Sequence, residues 1–171
     1  MTRDFDVVSL PGTDHPDAGD TAPDFTRPLV NADFWEDVAL SSLVETGPVL
    51  LLFHPMDWAP TAINLWREVS ARAWDEAFDV TVVGVSISTP YDHKRFLNER
   101  GLDYELFSDP RNGVAEVYGV VHDLDGMTAV AEPRPAVFLL DTDRTVRYAW
   151  VTDEWPAYPD YDAVEASLEE L

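Results

Sequence analysis

The sequence predicts a single α/β domain in which strands and helices alternate along the chain. Residues 49–53 and 80–85 are short, continuous apolar runs, which is typical of strands covered on both faces. Between them, apolar residues from Ala62 to Ala73 recur at spacings of four, three and four, which places one apolar stripe on a helix. A strand, a helix and a second strand in this order predict a parallel pair joined by a right-handed crossover.

The remaining elements follow from local signals. We expect residues 1–18 to be an irregular lead-in, rich in Asp, Gly and Pro, and residues 19–171 to form the one folded domain. Pro60 opens a helix predicted to run to about Phe78, and Pro90 opens another that ends at Gly101. The later predictions are a turn at residues 107–110, a short helix at 114–118, an acidic loop at 122–133, a hairpin of strands 137–140 and 146–151, and a terminal helix from residue 160.

The charge of the chain excludes several classes of partner. The 33 Asp and Glu residues against 11 Lys and Arg give a formal net charge of −22, and the acids are spread along the chain. Such a surface repels phosphate backbones and anionic lipids, so we expect neither nucleic acid nor membrane as a partner. With 46% apolar residues the chain can still bury a core, so we do not expect disorder. The acidic residues then indicate a folded protein with a hydrated surface suited to high internal salt. The start of the chain lacks the pattern of a signal peptide, and we expect a cytoplasmic protein.

The absence of cysteine is the most informative single count. It excludes disulfides, cysteine-ligated zinc, iron–sulfur clusters and every thiol-based mechanism. No phosphate-binding loop or Ser-His-Asp pattern is present either. We therefore expect no cofactor and no metal.

Five segments in the same order resemble the peroxiredoxin family, the AhpC/TSA or redoxin-domain proteins of the thioredoxin-like superfamily. Residues 19–25 match the opening pattern G-D-x-A-P-D-F at every fixed position. Residues 49–60 are similar to the segment that carries the peroxidatic site, and the other landmarks are at residues 84–96, 108–110 and 138–141. The resemblance implies a thioredoxin-like three-layer α/β/α sandwich with a central mixed sheet.

The resemblance fails at the residues that carry peroxidase chemistry. In the family, a Pro, a Thr, a Cys and an Arg surround the peroxide, and the thiolate attacks the O–O bond. Pro55 is kept, but Ala59 stands at the Thr position and Ala62 at the Cys position. The Arg position is Pro135, with Arg134 one residue earlier, and a shift of one residue along a strand turns a side chain to the opposite face.

Three polar residues near this loop are weaker candidates for a function. His54 and Asp57 lie three apart, and an imidazole with a carboxylate is suited to acid–base or metal chemistry, with Thr61 as a further polar group. The simpler interpretation is that His54 replaces the usual Tyr of the family and packs beside Trp58. Farther along, residues 122–126 faintly resemble a calcium loop, but no Glu follows at the required spacing, and a solvated loop is favoured.

These observations favour one function and leave two alternatives. The favoured hypothesis is a pseudoenzyme that keeps the redoxin fold, lacks the peroxidatic cysteine and acts as a binding or assembly module. Its partner would be a second copy of the chain or an active relative in a mixed dimer, as family analogy suggests. The alternatives are a cysteine-independent enzyme that reuses the cleft, and a peptide binder at a groove beside Pro135, which requires a cis Arg134–Pro135 bond. Six aromatic residues are candidates either for a contact surface or for ordinary core packing: Trp58, Trp66, Trp74, Trp150, Trp155 and Tyr158. Trp66 fits the buried helix stripe, and an exposed patch among the others would mark a partner or dimer contact.

Overall fold

Strands and helices alternate through the residues that the computed structural model describes, 7–122 and 127–171. The strands are β1 (Val8–Ser9), β2 (Thr26–Val30), β3 (Trp35–Ala39), β4 (Val49–Phe53), β5 (Thr81–Ser86), β6 (Glu105–Ser108), β7 (Val121–His122), β8 (Glu132–Pro133), β9 (Ala136–Leu140), β10 (Val146–Val151) and β11 (Glu154–Trp155). The helices are α1 (Leu40–Val44), α2 (Pro60–Arg72), α3 (Trp74–Ala77), α4 (Pro90–Arg100), α5 (Gly113–Tyr118) and α6 (Tyr161–Glu169).

The central sheet has seven strands in the order β10-β9-β4-β5-β6-β2-β3. Strand β4 pairs with β5 in parallel, as predicted, and β5 pairs with β6 in parallel. The outer strands run antiparallel, because β9 pairs with β4 and β10 on one side and β2 pairs with β6 and β3 on the other. The mixed sheet places the ends of β4, β5 and β6 at one edge, where the loop to α2 begins.

Two apolar clusters cover the two faces of this sheet. Alternate residues of β4 enter different clusters, with Leu51 and Phe53 on one face and Leu50 and Leu52 on the other. Helices α1 and α5 cover the first face, and α2, α3, α4 and α6 cover the second. The predicted three-layer α/β/α sandwich with a mixed sheet is confirmed.

The structure departs from the predicted elements at several places. The helix expected to continue to Phe78 ends at Arg72, because Ala73 adopts a left-handed conformation with φ of 47°. This break lets Trp74 turn into the core, where its indole N–H donates to Glu165. Residues 107 and 108 belong to strand β6, so the predicted turn is wrong there. The sequence analysis predicted none of β2, β3 and α1. In β2, Pro28 interrupts the strand signal.

The N-terminal segment packs against the domain. Strand β1 pairs antiparallel with β11, and the His15 ring lies edge-on to Phe138 at 6.2 Å between centroids. The backbone of Asp14 passes Gly119 so closely that a Cβ there would lie 2.3 Å from the Asp14 carbonyl oxygen. Residues 1–6 and the acids of the calcium-like loop, 123–126, lie outside the described residues. In the described part of the chain, no helix has the length and apolar character needed to cross a bilayer.

Candidate functional site

Three of the four positions predicted for the degenerate site, Pro55, Ala59 and Ala62, lie in or just before the first turn of α2. Strand β4 ends at Phe53, the chain turns through Pro55, and Pro60 occupies the first turn of α2. Ala59 precedes the helix and offers no side-chain hydrogen bond to its first N–H groups. Ala62, in the first turn, has no exposed surface. Ala62, which the resemblance sets at the position of the nucleophile, therefore has its methyl group packed against protein.

His54 is a neutral packing residue in this loop. Its Nδ1–H donates to the Pro55 carbonyl at 2.7 Å, and its Nε2 accepts from the Trp66 indole N–H at 3.2 Å. Desolvation in the fully buried site lowers the pKa of His54 to about 4. With both ring nitrogens engaged, His54 offers no free position to a metal or to a substrate proton.

Gly84 on the neighbouring strand makes room for this arrangement. A Cβ at Gly84 would lie 2.6 Å from the Trp66 ring and 2.9 Å from Nε2 of His54. A side chain there would separate the indole from the imidazole. The hydrogen bond between His54 and Trp66 therefore requires glycine at position 84 of β5.

Asp57 pairs with a histidine that the sequence did not single out. Its Oδ2 lies 2.6 Å from Nδ1 of His93 on α4, and neither side chain has exposed surface. Nε2 of His93 donates to the Phe107 carbonyl at 3.1 Å, and the Asp57 backbone N–H donates to Ser88 Oγ. Both nitrogens of His93 face oxygen atoms, so neither is free to act as a base. The pair joins the loop before α2 to α4 and β6.

Glu132 is a second buried group that the sequence reasoning missed. The side chain is 1% exposed, and its Oε2 accepts from the Met56 backbone N–H at 2.8 Å. This contact ties strand β8 to the loop of the former active site. The only sequence signal was its position, three residues before Pro135.

Arg134 does not point towards Ala62. Its Nη1 donates to the carbonyls of Pro11 and Thr152, at 2.9 and 3.2 Å, while its Nε has no partner. The next residue, Pro135, lines a small cavity that Arg134 does not line. The Arg134–Pro135 bond is trans, since the one cis bond among the described residues is Trp155–Pro156.

A small, apolar cavity lies at the start of α2, lined there by Thr61, the sequence neighbour of Ala62, and by Leu65. Its volume is about 10 Å³, the space of about one water molecule. The polar groups on its wall are His54, whose nitrogens are engaged, Thr61, whose buried Oγ1 has no partner, and Tyr158. The other lining residues are Leu52, Phe53, Pro55, Leu65, Pro135, Ala136, Val137, Ala157 and Pro159.

The candidate residues therefore do not converge on one polar centre. His54 and Thr61 line the cavity, Asp57 is paired with His93 away from it, and Arg134 faces the N-terminal segment.

The aromatic residues considered for a contact surface differ in their exposure. Trp66 and Trp74 are buried, whereas Trp58 and Tyr158 are 40% and 41% exposed.

Comparison with known proteins gives one consistent result. The model of the AhpC/TSA family matches residues 18–149. A thiol peroxidase of Staphylococcus aureus is 29% identical over 155 residues, covering 90% of this chain and 88% of that protein.

Solved structures are similar over nearly the whole chain. Peroxidoxin BcpB from Mycobacterium tuberculosis has a TM-score of 0.74 at 28% identity, covering 92% of this chain and 99% of that one. A thiol peroxidase from Chromobacterium violaceum has a TM-score of 0.75 at 27% identity, covering 98% and 94%. The predicted resemblance to peroxiredoxins and the thioredoxin-like fold are confirmed.

Proposed function

This chain belongs to the AhpC/TSA family, and from that membership we propose that it is a redoxin-fold binding or assembly module without thiol peroxidase activity. One observation carries the proposal: residue 62, in the first turn of α2, is a buried alanine in a chain with no cysteine. Peroxide reduction by this family needs a thiolate that attacks the O–O bond and takes up one oxygen. A methyl group has no lone pair for that attack.

The surroundings of Ala62 support the same conclusion. Ala59 supplies no hydroxyl for a peroxide oxygen, and Pro135 supplies no positive charge. The guanidinium of Arg134 is bound to carbonyl oxygens of other segments. His54 is neutral in its buried site, so the pocket contains no cation that would favour an anionic nucleophile or leaving group.

A cysteine-independent enzyme is the second candidate function, and the geometry disfavours it. Such an enzyme would need several polar side chains within hydrogen-bond reach of one another in a concave pocket. The small cavity at the start of α2 has an apolar wall, and the Asp57–His93 pair is shut away from it. The peptide-binder hypothesis required a cis Arg134–Pro135 bond, and this bond is trans.

A second copy of this chain, or an active relative, is the partner we propose for assembly. Two aromatic side chains near the site support a contact surface, since Trp58 is 40% and Tyr91 75% exposed. Exposed aromatic rings are enriched at protein interfaces. Sedimentation at molar salt, where charge repulsion is screened, tests this by comparing the natural chain with Trp58→Ser and Tyr91→Ser. A monomer under every condition, and no complex with an active relative, would remove assembly from the proposal. We further propose a cytoplasmic location, supported by a formal net charge of −22, which would suit high internal salt.

Hydroperoxide turnover tests the catalytic part of the proposal. The natural chain and an Ala62→Cys variant are assayed side by side with hydrogen peroxide and an organic hydroperoxide, using a thiol reductant. We expect no turnover above background for the natural chain. The variant should recover only part of a peroxidase rate, because Ala59 and Pro135 still supply no peroxide-binding group. Turnover by the natural chain would overturn the proposal.

A further inference from the structure

The small cavity lined by Thr61 and Leu65 of α2 is closed by one segment near the end of the chain. Ala157, Tyr158 and Pro159 form part of its wall, and they belong to residues 152–159, which connect β10 to α6. We call residues 152–159 the lid. On the other side, the cavity is bounded by β4, β9 and α2, which are parts of the packed core. The lid is therefore the wall that can move without disrupting the sheet.

A few identifiable contacts hold the lid in place. At its start, the Thr152 N–H donates to the Pro135 carbonyl at 3.1 Å. Near its end, the Asn64 side-chain amide on α2 donates to the Tyr158 hydroxyl at 3.0 Å in an exposed position. Between these points, β11 pairs with the N-terminal strand β1 over two residues.

Arg134 joins the lid to the N-terminal segment. One nitrogen, Nη1, donates both to the Thr152 carbonyl of the lid and to the Pro11 carbonyl. The side chain is 3% exposed, its acceptors are neutral, and its Nε has no partner. A hydrogen bond from a charged donor is stronger than one between neutral groups, so the bond to Thr152 holds the lid more firmly than the neutral contacts at its two ends do. Arg134 is thus placed as a latch of the lid.

The wall beneath the lid indicates what it would admit. It is apolar apart from the neutral His54 and the unpartnered Oγ1 of Thr61. A charged ligand would lose its hydration and find no counter-ion there. Tyr158 lines the cavity, so an aromatic ring with a hydroxyl group is compatible with this wall. Opening of the lid removes the Tyr158 ring and leaves its space to a ligand.

We propose that residues 152–159 form a lid, latched by Arg134 and by Tyr158, over a binding site for a small uncharged aromatic molecule with one hydroxyl group. The hydroxyl pairs with Thr61 Oγ1 and the ring contacts Leu65 and Val137. This inference rests on the proposed binding function of the same site and names its ligand class. Hydroperoxide turnover would overturn the proposed lack of peroxidase activity without bearing on the lid.

The chain contains no cysteine, so a single introduced thiol reports the opening of the lid. Val137→Cys places the thiol on the cavity wall, and Val83→Cys places a matched thiol in β5 away from the cavity; both valines are at most 1% exposed. The rate of modification by iodoacetamide is measured for each, alone and combined with Arg134→Met or with Tyr158→Phe. Arg147→Met, which breaks the exposed pair with Asp141, is the control.

Arg134→Met should raise the modification rate at residue 137 about tenfold or more, the effect of one charge-assisted hydrogen bond on a local opening. The rate at residue 83 should stay within about twofold, and Arg147→Met should change neither. Tyr158→Phe should also raise the modification rate at residue 137, and this variant tests the lid if Arg134→Met does not fold. Equal acceleration at both positions, or acceleration at neither, would show that no lid exists.

Ligand binding is tested in the same variants with phenol as the probe and benzoate as its charged counterpart. Phenol should slow modification at residue 137 in a saturable manner and leave residue 83 unaffected, whereas benzoate should protect neither. Acceleration without protection by phenol would overturn the assignment of the ligand. Protection by benzoate as strong as that by phenol would overturn the requirement for an uncharged molecule.

Discussion

Oδ2 of Asp57 and Nδ1 of His93 lie 2.6 Å apart in a pair with no exposed side-chain surface, although 36 positions separate the two residues in the sequence. The pair joins the loop that precedes α2 to the first turns of α4. Because His93 also bonds to the Phe107 carbonyl, one side chain links three elements at the end of the parallel strands. This contact holds the loop between β4 and α2 against α4 and β6.

Removal of the carboxylate should destabilise the protein strongly. Asp57→Ala leaves Nδ1 of the buried His93 without its hydrogen-bond partner, and an unsatisfied buried polar group costs about 1–3 kcal/mol of unfolding free energy. Urea unfolding followed by circular dichroism measures this cost. Arg95→Met, which breaks the exposed pair with Glu99, is the control and should give no measurable change. A cost for Asp57→Ala no larger than that of the control would show that the pair does not hold the loop.

His54 should make the stability of the protein depend on pH below neutrality. Burial lowers its pKa from 6.5 to about 4, so the unfolded chain binds more protons than the folded chain in this window. Stability is therefore lost as the pH falls through the window, by up to about 3 kcal/mol from this group. The measurement is the difference between the pH profiles of the natural chain and of His54→Asn, in which the carboxylates common to both cancel. Parallel profiles between pH 6.5 and 4 would contradict the buried neutral histidine.

Gly119→Ala should be more costly than Gly101→Ala, although both glycines have positive φ. Gly101, at 62°, has open space around its Cα, so alanine there should cost about 1 kcal/mol of backbone strain. At Gly119, with φ of 73°, the new methyl group would also meet the Asp14 carbonyl and displace the N-terminal segment. Thermal unfolding of the two variants checks this difference. Equal melting temperatures would show that the segment does not pack as described.

Salt should increase the folded fraction. With a formal net charge of −22, the compact state is opposed by self-repulsion, which molar salt screens over distances beyond about 3 Å. Circular dichroism in dilute buffer and in molar potassium chloride measures this effect, with equimolar sucrose as the uncharged comparison. A folded fraction that is the same in dilute and molar salt would remove the interpretation of a salt-adapted surface.

The sequence predicted the sheet better than the site. Continuous apolar runs identified β4 and β5, and Gly101 marked the end of α4, because burial and left-handed backbone leave local signals. The alternation of side chains along a strand indicated that Arg134 turns away from the Ala62 position, but its partners, the Pro11 and Thr152 carbonyls, could be found only from the folded chain. His93 did leave a signal, since it lies three and four residues before Phe96 and Leu97 on the buried face of α4. Its partner Asp57 could be found only from the folded chain.

The two outer strands of the sheet differ in the charge that they present to solvent. Strand β3 exposes Glu36 and Asp37, whereas the one charged residue of β10 is Arg147. If two copies approached edge to edge through β3, their carboxylates would be brought within about 5 Å, the spacing of paired strands. Backbone pairing between copies is thus opposed at one end of the sheet and not at the other. An acidic edge of this kind protects a concentrated, highly charged protein from growing into fibres.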